Sequence, residues 1–266
     1  MRERQSRRSP EGGSGPGPGL PGSLPPVDAI PRLEAVVFDL FHTLVDPEDF
    51  RPRDFDRVER TAAALGVEAE PFRAYWEGQL AELVVCSDRP ADRAAAYARA
   101  RGLPVTPARW AEVDDILGRY QDLALEHPRP EVLGALRALR DGGLRLGLLS
   151  NAHERDVRAW ERSPLRPLLE ATSVSCFTGH AKPSPEAYRV ALSGLGAAAG
   201  RAAFVADGGS GELAGARRAG FGLVVLVSGP ARRSGLRDAA QVAALEREAD
   251  LHLGGVEDLP AVLGGR

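Results

Sequence analysis

Ala35-Val36-Val37-Phe38-Asp39-Leu40-Phe41-His42-Thr43-Leu44 is the stretch on which the reading of this chain turns. Its first four residues form a continuous apolar run, which suits a short strand buried on both faces, as strands are in a parallel sheet. An aspartate directly after such a strand stands where parallel sheets gather their functional groups, at the carboxyl ends of the strands.

Further along, a helix is predicted over 130–141, after Pro128 and beginning at Pro130. Gly142-Gly143 then leads into Leu144-Arg145-Leu146-Gly147-Leu148-Leu149, a strand that ends on Ser150-Asn151. More strands are predicted near 173–177, 202–206, 222–227 and 251–253, separated by helices near 184–194, 212–219 and 239–248. Alternation of this kind specifies an α/β fold, a doubly wound parallel sheet of Rossmann-like type with helices on both faces. Residues 51–126 behave differently. Phe72, Tyr75, Trp76, Leu80 and Leu83 recur at spacings of three and four, so several helices and no strand are expected there. The chain therefore divides into a core of 32–48 and 128–266 and an inserted α-helical cap of 49–127. Residues 1–31, rich in Gly, Pro and Arg and without hydrophobic periodicity, read as a disordered tail.

Composition narrows the function classes. The chain is 43% hydrophobic and 27% charged, and its net charge of −3 creates no field that would draw in nucleic acid or an anionic membrane. No apolar run approaches the roughly 18 residues of a membrane span, and the basic start leads into Gly and Pro instead of a signal core. A cytoplasmic protein, monomer or homodimer, acting on a small molecule is expected. Cys86 and Cys176 lack metal-ligand spacing and read as reduced core residues. Trp76, Trp110 and Trp160 are expected to pack within helices, with entrance lining as the alternative for Tyr75 and Trp76.

The strand ends carry the chemistry: Asp39 with Thr43, then Ser150-Asn151, then Lys182, then Asp207 with Glu212. A carboxylate can attack a phosphate if cations offset the repulsion between two anions. Lys and Arg total 34, and a single one of them, Lys182, is lysine. A chain that otherwise uses guanidinium has kept a compact ammonium at a strand end that faces carboxylates. Mg²⁺ takes oxygen ligands and commonly one or two carboxylates, for which Asp39 and Asp207 are the natural pair, with Glu212 reaching through water. The Ser150 hydroxyl can donate to a phosphoryl oxygen, and Asn151 is expected to hold the nucleophile's loop.

In these landmarks the sequence resembles the haloacid dehalogenase-like hydrolase superfamily, in its branch with a helical cap after the first strand. The resemblance rests on Phe38-Asp39-Leu40-Phe41-His42-Thr43-Leu44, Leu149-Ser150-Asn151, Lys182-Pro183-Ser184-Pro185-Glu186-Ala187-Tyr188 and Val205-Ala206-Asp207-Gly208-Gly209-Ser210-Gly211-Glu212. It implies Asp39 as nucleophile, Ser150 as phosphate donor with Thr43 and Asn151 beside the substrate, and Lys182 as neutralising cation. It also implies Asp207 and the Phe41 main-chain carbonyl as metal ligands, and an aspartyl-phosphate intermediate opened by water. The expected activity is Mg²⁺-dependent hydrolysis of a small phosphorylated metabolite.

Two positions depart from that pattern. The phosphatases of the family usually carry a second Asp two residues after the nucleophile, which protonates the leaving alcohol; here Phe41 stands there. His42 and His153 are imidazoles close in sequence to the motif residues, either replacement acids or ordinary loop residues. An aromatic at this position is also similar to the metal-independent 2-haloacid dehalogenases, but the arginine those enzymes place after the cap tryptophan is Glu77 here. The second departure is Glu212, one methylene longer than the usual Asp. A catalytically weak or dead binding protein is the remaining alternative.

Overall fold

A computed structural model describes residues 32–263, so the tail expected over 1–31 lies outside the described residues. Six strands, β1 (Ala35–Phe38), β2 (Arg145–Ser150), β3 (Ala171–Val174), β4 (Ala202–Ala206), β5 (Leu223–Val227) and β6 (Leu251–Leu253), form one parallel sheet in the order β3-β2-β1-β4-β5-β6. The chain runs outward from β1 to β3 and then resumes on the other side of β1 with β4. A crevice opens where the order reverses, at the carboxyl ends of β1 and β4. Phe38 pairs with Leu148 on one side and Val205 on the other, so Asp39 and Asp207 leave the sheet at the same edge.

The alternation of side chains across a strand explains how both faces are covered. Val36, Phe38, Leu146, Leu148 and Val205 join one buried cluster with α5 (Pro130–Asp141) and α11 (Leu259–Leu263). Ala35, Val37, Phe204 and Val224 join a second with α7 (Pro185–Leu195), α8 (Glu212–Arg218) and α10 (Ala239–Glu246). The architecture is the α/β parallel sheet that the strand and helix alternation predicts.

One strand lies elsewhere than expected. The third strand ends at Val174, and Ser175–Thr178 turn into a short helix, α6, instead of extending to Phe177. Two contacts carry the turn. The Ala152 N–H donates to Ser175 Oγ at 3.0 Å, and Gly179 closes the helix, its N–H donating to the Ser175 carbonyl at 2.8 Å. Phe177 is left 63% exposed, so its apolar side chain reflects no strand.

Between β1 and α5 stand α1 (Arg57–Leu65), α2 (Ala69–Leu83), α3 (Pro90–Arg99) and α4 (Pro107–Glu126). Asp56 caps α1 by accepting from the Val58 and Glu59 N–H groups, and Thr106 caps α4 by accepting from Arg109. These helices enclose a core of their own, with Leu65, Phe72, Trp76, Tyr97, Val113 and Leu117. Trp76 is 3% exposed and stacks on Phe72 at 5.8 Å, which makes it a packing residue and removes it from any entrance. Trp160 sits on a short 3₁₀ turn, Trp160–Arg162, where a helix was expected, and it is buried in the core cluster. The last turns of α4 leave the insert, and Ala124 and Leu125 pack into the cluster under the sheet. Among the described residues no helix is long and apolar enough to cross a membrane.

Candidate active site

Asp39 follows β1 on a tight loop. The His42 N–H donates to the Val45 carbonyl at 2.6 Å, and both Leu44 and Val45 donate back to the Leu40 carbonyl. His42 adopts φ +60°, a left-handed conformation that histidine tolerates better than most residues. The turn folds Thr43 back so that its hydroxyl donates to Asp39 Oδ2 at 3.0 Å. Asp39 Oδ1 accepts from Lys182 Nζ at 2.5 Å.

Lys182 comes from the loop before α7 and is 5% exposed. Its ammonium also donates to Glu212 Oε2 at 2.6 Å and lies 5.8 Å from the centre of the Phe204 ring. Burial works against its charge, but the Asp39 and Glu212 carboxylates outweigh burial and its pKa is raised. Asn151 fixes the loop reciprocally, its Nδ2 donating to the Lys182 carbonyl at 2.8 Å while the Lys182 N–H donates to Asn151 Oδ1 at 2.7 Å. Asn151 was expected to hold the nucleophile's loop and to stand beside substrate. Its amide holds Lys182 through that residue's main-chain N–H and carbonyl, because the end of β2 lies beside the lysine's loop.

The third wall begins at Gly208, at φ +89°, a conformation that glycine adopts without strain. The turn it makes brings Glu212, the first residue of α8, back over the loop, and its Oε1 accepts from the Gly208 N–H at 2.9 Å. Both Glu212 oxygens are therefore engaged directly by protein donors, Oε2 by Lys182 and Oε1 by Gly208. Burial pushes the Glu212 carboxyl up to about 8, with Lys182 opposing and Asp39 and Asp207 adding to the rise. Oxygens of Asp39, Asp207 and Glu212 all lie within 4.8 Å of one another. Three buried carboxylates at that spacing are a donor set suited to a hard divalent cation. Ser150 is 1% exposed, and its hydroxyl is buried without a hydrogen-bond partner. Buried hydroxyls are normally bonded, and this one closes β2, the strand next to β1.

A family comparison decides how this arrangement is classed: a model of haloacid dehalogenase-like hydrolases matches residues 33–220. The chain belongs to that family. Among curated relatives of this haloacid dehalogenase-like hydrolase, Protein CbbY of Cereibacter sphaeroides is 26% identical over 208 residues, 74% of this chain and 84% of the relative. Among solved structures, 2-haloacid dehalogenase from Pseudomonas syringae pv. Tomato DC3000 superimposes with a TM-score of 0.60 at 22% identity, covering 87% of this chain and 98% of that one. The HAD phosphatase from Thermococcus onnurineus gives a TM-score of 0.58 at 20% identity over 88% of this chain and 99% of that one. At such identities the structural likeness establishes the fold alone.

Three further residues of the hydrolase find their places in the structure. Tyr188, wholly buried, donates from its hydroxyl to the Glu212 carbonyl at 2.8 Å and so ties α7 to α8 beneath the lysine. Phe41, where an acid usually stands in the family's phosphatases, packs against the core cluster under the sheet. Arg237, from the loop between α9 (Gly229–Arg233) and α10, places Nη1 2.7 Å from Asp207 Oδ2 and also donates to the Asp207 carbonyl. Arg237 has no signal in the sequence, being one arginine in an arginine-rich chain, 30 positions from its partner.

The two histidines separate. His42 keeps a partly exposed ring whose Nδ1 lies 2.9 Å from Asp46 Oδ1. Burial lowers its pKa, yet the bond and charge of Asp46, with smaller contributions from Asp207 and Asp39, raise it overall. His153 is buried where α4 meets the core, with Nε2 3.3 Å from Asp156, and its surroundings are Asp156, Arg57, Glu154 and Arg155. None of those is a site carboxylate, so His153 belongs to the seam between insert and core.

Proposed function

We propose that the protein is a Mg²⁺-dependent phosphatase of small phosphorylated metabolites, acting in the cytoplasm through an aspartyl-phosphate on Asp39. The observation that carries this reading is the grouping of Asp39, Asp207 and Glu212 within 4.8 Å, with Lys182 on Asp39 and an unpartnered Ser150 hydroxyl nearby.

Asp39, Asp207, the Phe41 carbonyl and Glu212 are the groups that would hold Mg²⁺. When bound, the ion would neutralise phosphoryl oxygens and hold them in line with the nucleophile. Thr43, bonded to Oδ2, and Lys182, bonded to Oδ1, fix the plane of the Asp39 carboxylate. A carboxylate oxygen attacks phosphorus, the ester P–O bond breaks, and the leaving oxygen carries away the electron pair. Water then attacks the aspartyl-phosphate, restores the carboxylate and releases inorganic phosphate. Lys182 and Ser150 balance the charge that gathers on the phosphoryl oxygens during transfer. The four helices of the insert act as the cap that closes over the site.

Phe41 cannot give a proton, so the reading favours substrates with good leaving groups, aryl and acyl phosphates. Phe41 is also the one observation that favours metal-independent 2-haloacid dehalogenation, which the acids at 207 and 212 disfavour. The deciding experiment is phosphate release from an aryl and acyl phosphate panel with Mg²⁺ and with chelator, for wild type and Asp39→Asn. Release that depends on the metal and disappears in the variant is expected. Chloride release from 2-chloropropionate without metal, and no phosphate release, overturns the proposal.

A further inference from the structure

The candidate metal site holds two side-chain cations against three acids, and one of those cations, Arg237, lies outside the landmark motifs. Its guanidinium pairs with Asp207 Oδ2 and with the Asp207 carbonyl through the same nitrogen. The other oxygen of Asp207 accepts from the Gly209 N–H at 3.0 Å. Asp207 therefore has a partner on each side-chain oxygen. The arginine side chain is 14% exposed, and the chain around it is exposed, from Arg232 to Leu236 before it and at Asp238 after it. Leu236 is 50% exposed, and Asp238 begins α10 with a capping box. Among the described residues the guanidinium has no hydrogen bond or ion pair beyond those to Asp207.

We propose that Arg237 is a tethered counter-cation of this site, resting on Asp207 when no metal is bound and leaving it when a divalent ion binds, so that it sets the affinity for metal. Mg²⁺ needs oxygens at about 2.0–2.1 Å in near-octahedral order, and it carries twice the charge of the guanidinium. A guanidinium hydrogen-bonded to the same carboxylate repels the ion and occupies the oxygen through which it would enter. Exchange between the two cations keeps a charge-balanced pocket in both states. Apparent metal affinity is then the intrinsic affinity multiplied by the fraction of molecules in which Arg237 is out. Arg237 is thus a positioning residue, acting through Asp207. The inference rests on the Mg²⁺ reading for its biological meaning, but its test is a binding measurement.

Titration calorimetry of the full chain with Mg²⁺, and Mn²⁺ binding followed by electron paramagnetic resonance, test it for wild type, Arg237→Gln, Arg237→Lys and Asp207→Asn. A charged hydrogen bond of the ordinary strength removed from one side of an exchange corresponds to about a 10- to 100-fold tightening in Arg237→Gln. Arg237→Lys, which keeps the positive charge on a more flexible side chain, is expected to tighten binding by a smaller factor, and it carries the test if Arg237→Gln folds poorly. Asp207→Asn is expected to bind no more tightly than wild type. Equal or weaker metal binding in both arginine variants overturns the inference, as does unchanged metal affinity with a raised KM, which would make Arg237 a substrate ligand. If wild type releases no phosphate with Mg²⁺ while Arg237→Gln gains metal affinity, the phosphatase reading fails and this one stands.

Discussion

At the scale of single residues, position 41 is where the proposed reaction lacks its acid. The Phe41 ring packs on the core cluster, and a phenyl group has no proton for a departing alkoxide. General acid help is worth about 10²–10⁴-fold, and the poorer leaving group gains most. Phe41→Asp is therefore expected to raise turnover of alkyl phosphates by about 100-fold and of aryl phosphates far less. Equal gains measured on matched alkyl and aryl substrates would show that protonation does not limit the reaction. His153 makes a second prediction, on stability. Burial lowers its pKa, Asp156 opposes this, and Arg57 and Arg155 reinforce it. Its contribution is fully present above the unfolded value of 6.5 and is lost as pH falls below it, because the unfolded chain then takes up the proton first. Melting temperature is expected to drop between pH 7 and pH 5, and less so in His153→Asn; identical slopes would assign the acid sensitivity to other groups.

At the scale of elements, the legible and illegible parts of the chain separate by range of interaction. The strands at 35–38 and 202–206 were readable as apolar runs bounded by turn or polar residues, and that at 251–253 as two leucines alternating with His252; both patterns are local. The third strand was misplaced because Cys176 and Phe177 prolong its apolar run, whereas the turn depends on Ser175 meeting the distant Ala152. Asp39, Lys182 and Asp207 could be expected together, since strand order alone brings strand ends to one edge. The Arg237 pair and the Asn151 clamp could not, because each depends on where two loops of unrelated sequence fall. The same holds for Gly118 in the middle of α4, which reads as a weak point in a helix. A Cβ there would lie 2.3 Å from the Arg155 guanidinium, which crosses α4 to reach the Asp114 carbonyl at 2.8 Å and Asp122 at 2.7 Å. Glycine to alanine within a helix ordinarily stabilises by about 1 kcal/mol. Gly118→Ala is expected to do the opposite, costing about 1–3 kcal/mol, because it displaces a buried cation from its acids. A denaturant titration showing a gain in stability would mean that Arg155 relocates freely.

For the whole molecule the question is whether insert and core unfold together. The insert has a hydrophobic core of its own, which by itself argues for independent units. Against this, α4 belongs to both: Val113 and Leu117 lie in the insert's cluster, while Ala124 and Leu125 lie under the sheet. Arg158 adds a bidentate pair with Asp114 at 2.5 and 3.0 Å, and Arg155 is 4% exposed, so charge and apolar contact both cross the seam. Loss of packing on one half of α4 weakens the other half, since most helical stability comes from that packing. The tryptophans report on each side, with Trp76 and Trp110 in or against the insert's cluster and Trp160 in the core cluster. In variants that retain either Trp76 or Trp160 as the sole tryptophan, urea unfolding is expected to give coincident midpoints, the signature of one cooperative transition. The same pair of probes in a Gly118→Ala background is expected to separate, with the insert melting first. Separate midpoints already in the parent would show that the shared helix fails to couple the two, and the cap would then open by local unfolding of its own.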